Sequence, residues 1–107
     1  DAEALKKATA NFRKAIELDP NYESAYNGLG TALQAAGDLD GAILNWKKAV
    51  GIKPDYGFAL YNLGLAYLLK GEKASALEYL QRYRDGHYAA LSPREQQKLD
   101  KLIARCK

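Results

Sequence analysis

The sequence predicts an all-α fold of antiparallel helix pairs repeating every 34 residues, closed by a C-terminal capping helix. Three observations carry this. Written in steps of 34, the chain lines up with itself: Gly30 on Gly64, Leu29 on Leu63, Gly37 on Gly71, Pro20 on Pro54, and Ala8 on Ala42 on Ala76. Apolar residues recur at three- and four-residue spacing, as an amphipathic helix requires. Glycine, proline and small polar residues fall between these runs, where helices stop and start.

The elements follow in order. Residues 1–22 match only the second helix of a repeat, with Ala8, Phe12 and Ala15 on one stripe before Pro20, so a helix is expected over 2–18. Its helical partner lies outside the sequence, and a chain without methionine reads as a processed form or an excised piece. A first full repeat spans 23–56. Tyr26, Leu29 and Leu33 predict a helix over 22–36, stopped at Gly37. Asp38 and Asp40 can cap the next, over 40–52, which carries Ala42, Trp46 and Ala49 and ends before Pro54. A second, divergent repeat spans 57–90. Leu60, Leu63, Gly64 and Tyr67 predict a helix over 57–70, and Ala76 and Leu80 one over 73–86, stopped at Gly86. This repeat drifts at its end, where Tyr83 and Tyr88 stand in the columns of Ala49 and Pro54. In 91–107, Ser92 with Glu95 forms a capping box and Pro93 takes the first helical position. Leu99, Leu102, Ile103 and Cys106 make one apolar stripe, so a final helix is expected over 93–106. The whole is read as a single domain, 1–107.

Glycine inside a helix costs about 1 kcal/mol relative to alanine. Gly30 and Gly64 accept that cost at the same column, which places them where paired helices cross closely, against Ala42 and Ala76 with large residues such as Trp46 filling the adjacent layer.

The series Tyr26-Leu29-Gly30-Leu33 and Leu60-Leu63-Gly64-Tyr67, with Ala42-Trp46-Pro54 and Ala8-Phe12-Pro20, resembles the tetratricopeptide repeat family. The resemblance implies an α-solenoid, a right-handed superhelix. It implies a non-catalytic scaffold or adaptor, whose concave groove holds a peptide or partner segment and needs no cofactor. Carried over residue by residue, that groove shows Ser24, Asn27, Thr31 and Gln34 from the first full repeat, and Phe58, Tyr61, Asn62, Leu65 and Leu68 from the second. Phe58, Tyr61, Leu65 and Leu68 are large and apolar on a face that repeat packing should not fill, and such a patch points to a partner. Family members that grip acidic chaperone tails use Lys, Asn and Arg at set slots. Here those slots hold Phe58, Gly28 and Asn62, or, one repeat on, Asn27, Asn62, Ser92 and Gln96, so no cation meets a terminal carboxylate.

Composition excludes other classes. Hydrophobic content of 48% with 27% charge is that of a folded chain rather than a disordered one. No apolar run reaches the roughly 18 residues that would span a membrane. His87 is the only histidine, which removes metal clusters and triads built on several, and it is expected in an exposed loop past Gly86. The carboxylates Asp38, Asp40, Asp55, Glu72 and Asp85 sit at turns, where capping and solvation account for them. "GDLDG" lacks the length and closing Glu of a calcium loop. The single Cys106 is expected to act as a small hydrophobe; it forbids an internal disulfide and leaves the compartment open, with the cytoplasm slightly favoured.

The net charge of +3 is uneven. Residues 82–107 hold seven Lys/Arg against three Asp/Glu, and residues 1–81 nine against ten. Arg94, Lys98, Lys101 and Arg105 form one stripe of the last helix, an ordinary solvated face or a dock for an acidic partner. Without interleaved aromatics, nucleic acid is not the expected partner. Self-association is the other expectation, through the bare face of the first helix at Leu5, Phe12 or Ile16.

Overall fold

The computed structural model describes all residues, Asp1–Lys107, and contains six α-helices and no strand. The helices are α1 (Ala2–Leu18), α2 (Glu23–Ala35), α3 (Leu39–Ile52), α4 (Gly57–Leu69), α5 (Lys73–His87) and α6 (Pro93–Arg105), with a 3-10 turn at Tyr88–Ala90. They divide between two compact units, Asp1–Tyr56 and Gly57–Lys107, and the division falls on the boundary between the two full repeats.

In the first unit, α2 packs on α3 and on α1. The Cβ of any residue larger than glycine at position 30 would lie 2.6 Å from Trp46 Nε1, 2.7 Å from Trp46 Cδ1 and 3.0 Å from the Ala42 carbonyl oxygen. The glycine therefore lets the indole lie flat on the backbone of α2, where Trp46 is 1% exposed and its Nε1 donates to the Asn27 carbonyl at 3.2 Å. The gain in contact and the satisfied indole offset the helix cost of glycine. Gly28 serves α1 in the same way, since a Cβ there would fall on the Phe12 ring. The repeat columns give no sign of this second approach, because the counterpart of Gly28 is Asn62.

The turn after α2 is closed by backbone alone. Gly37 has φ 92°, Gly37 N–H donates to Gln34 O at 3.0 Å, and Asp38 N–H to Leu33 O at 2.8 Å. The same pair of bonds recurs at Gly71 (φ 79°), from Gly71 N–H to Leu68 O at 3.0 Å and from Glu72 N–H to Tyr67 O at 2.9 Å. This is the paired closure of a helix end by a left-handed residue, where a side chain would be strained. Asp38 then caps α3 through a bond from Gly41 N–H at 2.9 Å, whereas Asp40 sits inside the first turn.

In the second unit, α4 packs on α5 and α5 on α6. At Gly64 the three atoms nearest to a Cβ placed there all belong to the side chain of Leu80, the residue in the Trp46 column. Ala76, Leu80, Leu99, Leu102, Ile103 and Cys106 form one buried cluster. Helix α6 begins with the predicted capping box: Glu95 N–H donates to Ser92 Oγ at 3.2 Å and Ser92 N–H to Glu95 Oε1 at 3.0 Å. One expected helix stop is absent. Helix α5 runs through Gly86 to His87, and Gly86 does not take positive φ. Consequently His87 is not an exposed loop residue. It is half-buried as the last residue of α5, its ring stacked on Tyr83 with centroids 5.1 Å apart and set against Gly57.

Candidate partner-binding surface

The nine groove residues divide between α2 in the first unit and α4 in the second. On α2, Ser24, Thr31 and Gln34 are exposed and Asn27 is half-buried. The Thr31 hydroxyl donates to Asn27 O at 3.1 Å, so that carbonyl serves both Thr31 and Trp46. Ser24 and Gln34 are the polar groups this face offers outward.

On α4 the apolar residues separate into two sets. Phe58 is 71% exposed and Leu65 37%, and Leu69, which the sequence reading did not include, is 73% exposed. Spaced seven and four residues apart, the three make one ridge, with half-buried Asn62 between Phe58 and Leu65. Tyr61 and Leu68 lie to the side and are half-buried against the cluster that α6 completes. Tyr61 rests on Tyr83 with ring centroids 5.2 Å apart. The face expected to be unfilled is thus open along Phe58–Leu65–Leu69 and partly filled at Tyr61 and Leu68. The cluster that fills it is drawn from α5 and α6, and α6 lies outside the repeat pattern on which the expectation was built.

Tyr61, Tyr83, Leu91, Glu95, Lys98 and Leu99 line a cleft of about 240 Å³ between α4, α5 and α6. Burial, then the neighbouring Tyr61 and Glu95, push the Tyr83 hydroxyl above its ordinary pKa. A second depression, of about 460 Å³, lies along α6 between Arg94, Glu95, Gln97, Lys98 and Lys101. Glu95 and Lys98 line both, so the two adjoin.

The charges of α6 are unequally engaged. Asp100 accepts from Tyr88 Oη at 2.8 Å and from Arg84 Nε at 3.4 Å, and Arg84 also lies over the Tyr88 ring at 4.3 Å. That bond to Asp100 is the first cause raising the Tyr88 pKa. Glu95 is held by Ser92, which lowers its pKa. Arg94, Lys98, Lys101 and Arg105 are all exposed, and none forms an ion pair.

Two further features complete the surface. Helix α1 has no buried residue, and a depression of about 700 Å³ lies along Leu5, Thr9 and Ala10 up to Ala35 and Ala36. Leu5, Phe12 and Ile16 are each half-buried. Cys106 is buried, its Sγ donating to Leu102 O at 3.3 Å, and burial raises its pKa, the state of an inert structural thiol. No group of three or more His, Cys, Asp or Glu comes together, and no helix is long and apolar enough to cross a membrane.

The family model for the TPR repeat matches residues 1–37 and 32–71. A curated TPR repeat-containing protein of Pseudomonas aeruginosa is 43% identical over 42 residues, which are 39% of this chain and 40% of that protein. The chain therefore spans about two fifths of the length of that relative. Among solved structures, MamA is similar at TM-score 0.77 and 29% identity, over 83% of this chain and 52% of that one. The TPR2B domain of yeast Sti1, in complex with pHsp70, matches at TM-score 0.83 and 22% identity, over 98% and 84%. The Yersinia enterocolitica type III secretion chaperone SycD, in complex with a peptide of the translocator YopD, matches at TM-score 0.84 and 20% identity, over 98% and 81%.

Proposed function

The chain belongs to the tetratricopeptide repeat family, and from that premise we propose that it is a non-catalytic interaction module. It takes a peptide or partner segment against the first helix of a repeat, and α4 supplies the apolar anchors. The observation that carries this is the exposed ridge of Phe58, Leu65 and Leu69 on α4. Large apolar side chains in one exposed line are the kind of patch that marks an interaction site. Ser24 and Gln34 on α2 offer hydrogen bonds to a ligand backbone. That the Sti1 domain and SycD are structures with peptide or protein partners supports the reading at the level of shared fold. The acidic-tail clamp is not part of it, because Phe58 and Asn62 occupy the slots where cations are wanted.

The test is selection from a random peptide display library, followed by affinity measurement on the enriched peptides. Phe58→Lys with Leu65→Lys should weaken them at least tenfold, about 1.4 kcal/mol, and leave the melting temperature within a degree or two. Enriched peptides that bind the double variant as tightly as the parent would overturn the reading. A second reading, self-association through α1, is favoured by that helix's lack of buried residues. Sedimentation over a hundredfold concentration range tests it, with Leu5→Lys expected to abolish any dimer.

A further inference from the structure

We propose that the flank of α6 and the tyrosine cleft beside it form a specificity site for an acidic peptide carrying one aromatic or branched aliphatic anchor. The inference rests on the peptide-binding reading above and names the partner chemistry that reading leaves open. Two independent observations meet at Lys98. The first is the charge asymmetry of α6. Both carboxylates of this helix already have donors within the chain, Asp100 from Tyr88 and Arg84 and Glu95 from Ser92, while its four exposed cations form no ion pair and only Lys98 acts on a carboxylate of the helix, Glu95, through space. In a self-contained surface, opposite charges at neighbouring helical positions pair with each other. Here Tyr88 and Arg84 draw Asp100 to the α5 side of the helix, and the cations are left facing outward.

The second observation is the cleft. Its apolar walls are Tyr61, Tyr83, Leu91 and Leu99, and at about 240 Å³ it is of a size to receive one large side chain. It adjoins, at Glu95 and Lys98, the depression between Arg94 and Lys101. A ligand side chain seated on the two tyrosines therefore leads its flanking residues onto the cationic stripe. Aspartate or glutamate on either side of the anchor would meet Lys98, Lys101 and Arg94 there. Glu95 sets the polarity, since its charge is held at the N-terminus of α6 by the capping box and repels an acid at the cleft itself. The anchor position is thus selected to be apolar and its neighbours to be acidic. A basic or neutral peptide gains the first contact and not the second.

The experiment uses a fluorescein-labelled twelve-residue peptide with one central Phe flanked by Glu and Asp. It is compared with the same peptide carrying Gln and Asn for every acid, with the Phe→Ser version, and with a twelve-nucleotide single-stranded DNA. Fluorescence anisotropy is read at 50 and 300 mM salt against the parent and against Lys98→Gln with Lys101→Gln. The acidic Phe peptide should bind at least tenfold tighter than the other three probes. That advantage should shrink at 300 mM salt, where the screening length falls to about 6 Å from about 14 Å at 50 mM. The double Gln variant should lose at least fivefold for the acidic peptide and nothing for the neutral one. Tyr83→Phe, which keeps the cleft walls, should retain binding. Equal affinity for the acidic and neutral peptides overturns the proposal, as does unchanged binding by the double Gln variant. Tighter binding of the DNA overturns it in favour of a general polyanion surface. If library peptides depend on Phe58 and Leu65 but not on Lys98 and Lys101, this inference fails while the peptide-module reading stands. If they depend on neither, both fail.

Discussion

Gly30→Ala isolates the closest helix approach in the first unit. A methyl group there gains up to about 1 kcal/mol of helix propensity over glycine. It also sets a carbon 2.6 Å from Trp46 Nε1 and 3.0 Å from the Ala42 carbonyl oxygen. Ordinary carbon contacts lie at roughly 3.5–4.0 Å, so the indole must move by about 1 Å. Trp46 is 1% exposed, so the shift must be taken up inside the packed core. Overpacking of this kind costs roughly 1–3 kcal/mol, and the displaced indole also risks its bond to Asn27 O, worth about 1 kcal/mol. The expected net is a loss of about 1–3 kcal/mol, opposite in sign to the propensity term. Gly51→Ala is the control. Gly51 is helical in α3 and a Cβ there meets nothing within 4 Å, so the same substitution should be neutral or stabilising. Trp46 is the only tryptophan, so its fluorescence follows the first unit in urea while circular dichroism follows the whole chain. At roughly 4–8 °C per kcal/mol for a unit of this size, the two variants should melt on the order of 10 °C apart. If they agree within about 0.5 kcal/mol, the difference is no more than helix propensity and the contact account of Gly30 is refuted.

Gly37→Ala and Gly71→Ala should each cost about 1 kcal/mol through the left-handed backbone, read from urea midpoints, whereas Gly86→Ala, at ordinary helical φ, should not. Tyr61→Lys should destabilise the second unit by about 1–3 kcal/mol because it removes half-buried contact with Tyr83 and the α6 cluster. Phe58→Lys should leave the melting temperature unchanged, and equal effects of the two would erase the distinction between ridge and flank. The depressed pKa of Glu95 has a definite sign. Its stabilisation is present above the ordinary value of 4.5 and is lost as pH falls through the lower folded value. Urea midpoints between pH 7 and pH 3 should therefore fall less steeply for Glu95→Gln than for the parent, and parallel curves would contradict this.

Helix ends were legible in the sequence because their causes are local. Gly37, Gly71, Asp38 and the Ser92–Glu95 box act within six residues of chain, and each helix lies within a residue of its expected span. Gly86 shows the limit of the same logic. A glycine near a helix end is a stop only where the backbone turns left-handed, and here His87 stacked on Tyr83 carries α5 one residue further. The Phe12–Gly28 approach was illegible because the next repeat has Asn62 in that column, so no periodicity announces it. For the candidate site, the repeat pattern identified the helix that bears the ridge but not which of its residues α6 covers. Tyr61 and Leu68 are half-buried against a cluster drawn from α5 and α6, the second of which follows no repeat, and Leu69 stays open.

The two glycine turns, at Gly37 and Gly71, are made by the same two backbone bonds, with an exposed Lys70–Glu72 ion pair across the second. Nothing beyond the adjoining helix end takes part in either. A 34-residue segment of this chain therefore carries its own punctuation wherever it is placed. Lengthening such an array by tandem duplication asks for no new turn design, only that the faces brought together agree in size. Those faces, Trp46 against Gly30 and Leu80 against Gly64, are free to diverge pair by pair while the turns stay fixed. The grammar of the chain is thus conserved in its backbone and its vocabulary is left to the side chains.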